Sequence, residues 1–191
     1  MIAAVKKISV MMLLAALAAM AVAWPASKSP QAANAATGTF PGYSSNGLPL
    51  NGQTLFGAAV MGDIEPMEAQ VGGTVGVRRS YFSATQQQSA ANRATTDLAA
   101  GRLPWLSFKA PHSWADMAAG KGDAWARDIA NRLATVGGPV WVAVEHEPEG
   151  AGSVSDWRAM QMRLGPIFKA KPNIAFSIIL MGWYQFFSGQ S

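Results

Sequence analysis

Cysteine is absent from the 191 residues, which excludes disulfides, thiolate catalysis and cysteine metal sites and leaves stability to packing. Histidine occurs only twice, at His112 and His146, and never in the HExxH spacing of a zinc helix. No GxGxxG or Walker-type loop is present either. Gly72-Gly73-Thr74-Val75-Gly76 is glycine-rich, but it precedes an apolar run instead of opening a helix, so it is no phosphate cradle. No apolar run reaches the ~20 residues that span a bilayer. The stretch 8–23, behind Lys6 and Lys7, falls short of that and carries the pattern of a secretory signal. Small residues suited to cleavage stand at Ala21-Val22-Ala23 and Ala33-Asn34-Ala35, and the second is favoured. Residues 1–35 are then the signal, 36–53 an extended leader and 54–191 the folded domain, expected to be secreted and free of the membrane. Excess charge is lacking too: taking Lys6, Lys7 and Lys28 from 15 basic residues leaves 12 against 11 acidic ones, so the net charge falls from +4 to +1. In that remainder Arg78-Arg79 is the only adjacent basic pair. Nucleic acid is therefore not an expected partner.

What the chain does have is a regular alternation of short β-rich runs with longer amphipathic ones. Strands are expected over 54–61, 74–82, 103–108, 139–144 and 174–181. Helices are expected over 89–100, 114–136 and 156–169. The second sets Trp125, Ile129 and Leu133 at i, i+4 and i+8 and stops at Gly137-Gly138; the third has Ser155 as a candidate N-cap. Alternation of this kind makes an α/β fold with a parallel sheet. Met61-Gly62-Asp63-Ile64-Glu65-Pro66 follows the first strand where a dinucleotide fold carries its glycines, so a TIM-type (β/α)8 barrel is preferred to an open doubly wound sheet. A complete barrel takes about 250 residues, so these five strands are expected to form a partial one.

Chemistry concentrates after the fourth strand. The apolar run 140–144 ends in Glu145, His146, Glu147 and Glu149. A continuously apolar strand is one buried on both faces, so these groups emerge directly from a core. A metal site, a solvated loop and a glycosidic-bond site are all open to them. Glycoside cleavage needs one carboxyl group of raised pKa to protonate the leaving oxygen and a second to attack or to activate water. Glu147, beside a histidine and between two other glutamates, is the better proton donor. Glu145 has the same strand parity and is expected to point the same way one step deeper. Trp183, Trp114, Lys109 and His112 are candidate sugar contacts at other strand ends, while Trp125, Trp157 and Trp141 are assigned to the core.

The His146-Glu147 pair at the end of a fourth strand resembles the His-Glu motif of the family 26 glycoside hydrolases, the secreted (β/α)8 family of β-mannanases and related endoglycanases. The segment Ala119-Gly120-Lys121-Gly122-Asp123-Ala124-Trp125 and the run Ile179-Leu180-Met181-Gly182-Trp183 also suit that family. The resemblance spans roughly 54–183. It implies that Glu147 is the general acid/base, that His146 shapes the subsite of the reacting sugar, that a β-linked mannan or glucan is the substrate, and that no cofactor is needed. Pro148-Glu149-Gly150 departs from the more polar or aromatic continuation of well-known mannanases. The family's nucleophile is a glutamate on the seventh strand, ~5–5.5 Å from the acid/base in retaining enzymes. Only Asp156 carries a carboxylate after Glu149, so the chain is expected to be inactive alone, and a non-catalytic or carbohydrate-binding protein is the alternative. Glu65 and Glu68 are remote candidates for the second carboxylate.

Overall fold

The computed structural model describes residues 42–50, 52–149 and 151–181. Residues 1–41, which include the expected signal, and Gly182-Trp183 lie outside the described residues. The chain is an α/β protein, with five parallel strands among the described residues, ordered as in sequence. They are β1 (Gly57–Ala59), β2 (Val77–Phe82), β3 (Leu103–Phe108), β4 (Val140–Val144) and β5 (Ile174–Phe176). Between them run α1 (Glu65–Val71), α2 (Gln87–Ala99), α3 (Trp114–Ala118), α4 (Asp123–Leu133) and α5 (Val154–Lys169). No helix among the described residues is long and apolar enough to cross a membrane.

Strand alternation sorts side chains onto two faces. Leu106 and Phe108 of β3 and Val140, Val142 and Val144 of β4 pack against Ala90, Ala94, Met117, Ile129, Leu133, Met160, Leu164 and Phe168 of α2 to α5. Burying one such large apolar side chain contributes about 1.5–3 kcal/mol, so this layer dominates stability. Register lines up Arg79, Trp105, Trp141 and Ala175 on the opposite face, with Tyr81, Ser107 and Ala143 in the next row toward the carboxyl ends. There Trp105 and Trp141 meet edge to face at 5.5 Å, and Trp105 Nε1 donates to Ser177 Oγ at 2.9 Å. Trp157 is buried against the helical layer; Trp125 is half-buried beside it, edge-on to Phe108 at 6.0 Å.

The middle strands match the sequence reading; the outer ones are shorter. β1 and β5 each have one described partner; β1 is largely exposed, while Ile174 of β5 is buried in the helical layer and Phe176 stacks on Phe168 at 5.2 Å. Gly57 lies so close to Val77 that a Cβ would collide with it. After Ser177, whose amide still reaches Val142 O at 2.8 Å, the chain leaves β4 and Ile179 O accepts from Glu147 N at 2.9 Å. The helix expected over 114–136 is two. Gly120 takes φ 96° between them, and a Cβ there would strike the Arg163 guanidinium, which pairs with both oxygens of Asp123 at 2.8 and 2.9 Å. The N-cap of α5 is Ser153, not Ser155: its Oγ accepts from Asp156 N at 3.3 Å while its backbone stays extended. Within the segment expected to be an extended leader, 42–50 makes a tight turn bridged Tyr43 to Pro49. Its Gly47 rests on Leu103, Pro139 and Trp141 at the amino end of the sheet.

Arg78 and Arg79 do not form a basic patch, because consecutive strand residues face opposite ways. Arg78 is buried beside Asp97, at 3.6 Å, and donates to Gly62 O. Arg102 joins them, 3.1 Å from Asp97 and 2.8 Å from Glu68, with Glu65 at 3.3 Å. Burial opposes its charge, but the hydrogen bonds to Glu68 and Asp97 outweigh it and hold its pKa above the ordinary value. Glu65 and Glu68 are thereby engaged as structural ion pairs, and Glu68 also accepts from Val75 N at 3.0 Å. Removing one member of a buried charge set strands the others. Asp97→Ala is expected to cost about 3–5 kcal/mol in urea unfolding; a loss below about 1 kcal/mol, the range of exposed pairs, would show that the cluster is solvated.

Candidate functional site

Parallel strands place Glu145, His146 and Glu147 on the same edge as Lys109 and Gly62-Asp63, in the segments that follow β4, β3 and β1. The backbone then turns in an unusual way. Glu145 at φ 49° and Glu147 at φ 54° are the only non-glycine residues with positive φ among the described residues. A left-handed conformation costs an ordinary L-residue about 1–2 kcal/mol, and strain of this kind collects at functional sites.

The two kinks give the two glutamates different surroundings, so the parity expected from a continuing strand does not hold. Glu145 N donates to Phe108 O at 3.0 Å. Its carboxylate accepts from Ala110 N at 2.7 Å and faces Lys109 Nζ at 3.3 Å, tying the end of β3 to the end of β4. Glu147 is 44 % exposed, and the group against it is a guanidinium, Arg79 Nη1 at 3.8 Å, not a carboxylate. Arg79 is held over the Tyr81 ring, 4.9 Å from its centroid, with Nε donating to Ser107 Oγ at 3.0 Å. Its other terminal nitrogen is buried with no hydrogen-bond partner among the described residues. Glu149 accepts from Met181 N at 2.9 Å.

His146 packs on Tyr81, ring centroids 5.3 Å apart. Burial first, then the positive charges of Arg79 and Lys109, push its pKa below the ordinary 6.5, against the opposing pull of Glu147 and Glu145. The imidazole is therefore neutral at neutral pH.

Four of the candidate residues divide between two depressions, and Glu147 lines neither. Lys109 and His146 line one of about 370 Å³ with Tyr81, Phe82, Ser83 and Ser107. His112 and Trp114 line the other, of about 360 Å³, with Glu145, Ser153 and Asp156. The two histidines are thus not brought together, and no cluster of three or more His, Asp or Glu suited to a metal occurs among the described residues. Trp114 opens α3 behind the Ser113 cap and packs against Gly152, its ring half-buried. Trp183 lies outside the described residues. Arg79 and Tyr81 escaped the sequence reading, although their i, i+2 spacing on a strand put them on one face and was the signal that could have found them.

The site is thus an ionisable edge on a parallel α/β sheet: an exposed glutamate on a strained turn, a neutral histidine, a guanidinium and an aromatic ring. Compared with known proteins, the sequence matches no family model and no curated protein.

Two outcomes are expected. Glycine takes positive φ without the Cβ penalty, so Glu147→Gly is expected to be more stable than Glu147→Ala by about 1 kcal/mol in chemical denaturation, although both delete the carboxylate. Equal stabilities would mean the turn is unstrained. For His146, the unfolded chain binds a proton near pH 6.5 while the folded chain does so only at lower pH. Stability is then fully present above 6.5 and falls as pH drops through 6.5 toward the folded value. The advantage of the wild type over His146→Gln is expected to shrink between pH 7.5 and 5.5 in paired melts; an advantage that grows on acidification would contradict a neutral buried imidazole.

Proposed function

We propose that this chain is a secreted glycoside hydrolase-like protein resembling family 26, built on the first five strands of a (β/α)8 barrel and facing a β-linked polysaccharide. Sequential strand order, with α2 to α5 packed on one face, supports a singly wound barrel over a doubly wound sheet, whose order reverses partway. The observation that carries the reading is Glu147: a half-exposed carboxyl group on a strained turn at the carboxyl end of β4, next to His146 and within the reach of Arg79.

In this reading Glu147 protonates the glycosidic oxygen. Neutral His146 and the Tyr81 ring bound the space where the reacting sugar sits. Lys109 and Glu145 hold each other and the adjoining strand ends. General acid catalysis alone contributes ~10²–10⁴-fold, far less than glycoside hydrolysis requires. The chain is therefore expected to bind manno- or gluco-oligosaccharides, with NMR shifts at His146 and Tyr81, and to turn them over barely or not at all. Lack of binding to either sugar series at millimolar concentration would sink the reading; turnover abolished by Glu147→Gln would show that the chain supplies its own second carboxylate. Binding without turnover is also what a carbohydrate-binding protein gives, and the guanidinium against Glu147 favours that as the second reading.

A further inference from the structure

Val144 is the last residue of β4 and Glu145 the first beyond it, and β5 pairs only as far as Val142, so their carbonyls are left without a strand partner on that side. Both are instead taken by side chains of α5. Gln161 Nε2 donates to Val144 O at 2.7 Å, and Trp157 Nε1 donates to Glu145 O at 2.8 Å. The two residues are four apart and share one helix face, so one turn of helix serves two successive peptide units. Both are nine-tenths or more buried. Gln161 keeps Oε1 buried with no hydrogen-bond partner among the described residues. A half-paired amide in an apolar layer is a poor choice for stability alone, where methionine or leucine would pack without that penalty. α5 is itself anchored by the Ser153 cap and the two-point Arg163–Asp123 pair.

We propose that Trp157 and Gln161 are positioning residues: their two donors fix the backbone at the end of β4 and thereby hold Glu145, His146 and Glu147 in the kinked turn that faces Arg79. This rests on the reading of Glu147 as the sugar-facing acid, but the clamp is measurable without any sugar. The groups facing His146 are Tyr81, Arg79, Lys109, Glu145 and Glu147, so the imidazole reports whether the turn keeps its place among them.

The test uses the full chain with Trp157→Phe and Gln161→Met, which remove one donor each; the first keeps an aromatic ring and the second keeps the side-chain volume. His146 titration and the amide resonances of residues 145–147 are followed by NMR, beside thermal unfolding. The expected result is a fold that melts cooperatively in both variants, with His146 titrating nearer its ordinary value and the three amides shifted. Oligosaccharide binding is expected to weaken by about tenfold or more, as misplacement of a site does. If one variant fails to fold, the other decides. Unchanged His146 titration and amides in a folded variant overturn the proposal, and so does global unfolding of both, which would make the pair ordinary core. Moved turn signals in a chain that never binds sugar sustain the clamp and reject the glycoside reading.

Discussion

The ladder between β3 and β4 is the constraint on which the rest depends. Its register runs from Trp105–Trp141 to Phe108–Val144, and it delivers Lys109 and Glu145 to adjacent points at the sheet edge. Even-numbered side chains of the two strands enter the helical layer; odd-numbered ones meet Arg79 and Tyr81 on the other face. A slip of one residue would exchange the faces, sending Trp105 and Trp141 into the helices and Val142 out. The apolar continuity of Val140–Val144 tolerates burial on either side, so the choice falls to the partners: small alanines on α2 fit against Phe108, and Trp141 Nε1 donates to Asn46 O at 3.1 Å.

Charge is organised by the same alternation. One set, Arg78, Asp97 and Arg102 with Glu65 and Glu68, joins the helices to the sheet, its three central members almost wholly withdrawn from water. The other, Arg79, Lys109, Glu145 and Glu147, is half-open and sits at the carboxyl edge. The first set loses heavily if broken, because a lone buried charge has no water to turn to. The second gains little from its ion pairs, since exposed pairs are worth about 0–1 kcal/mol.

Strain is concentrated at the same carboxyl edge. Two left-handed glutamates flank His146, and their peptide groups are held from several sides: Phe108 O and Ile179 O accept their amides, and the α5 side chains donate to the carbonyls. Such over-determination is what lets an unfavourable backbone persist. It also fixes the direction of a carboxyl group that a continuing strand would have aimed elsewhere.

Sequence alone determined the class of the fold and the address of the site. Alternating β-rich and amphipathic runs require a parallel α/β sheet, and an apolar strand ending in Glu145, His146, Glu147 and Glu149 marks its ionisable edge, because strand period and burial are local properties. The helical spacing of Trp125, Ile129 and Leu133 was legible for the same reason. What only the tertiary structure decided is which groups meet. No local pattern distinguishes Arg78 in the core from Arg79 at the site, sends Glu145 to the Ala110 amide while Glu147 faces a guanidinium, or brings Gln161 back to Val144. Those contacts join residues between 16 and 68 positions apart. They exist because packing fixes strand register and helix position together, and positive φ at Glu145 and Glu147 is a cost that only such packing can hold in place.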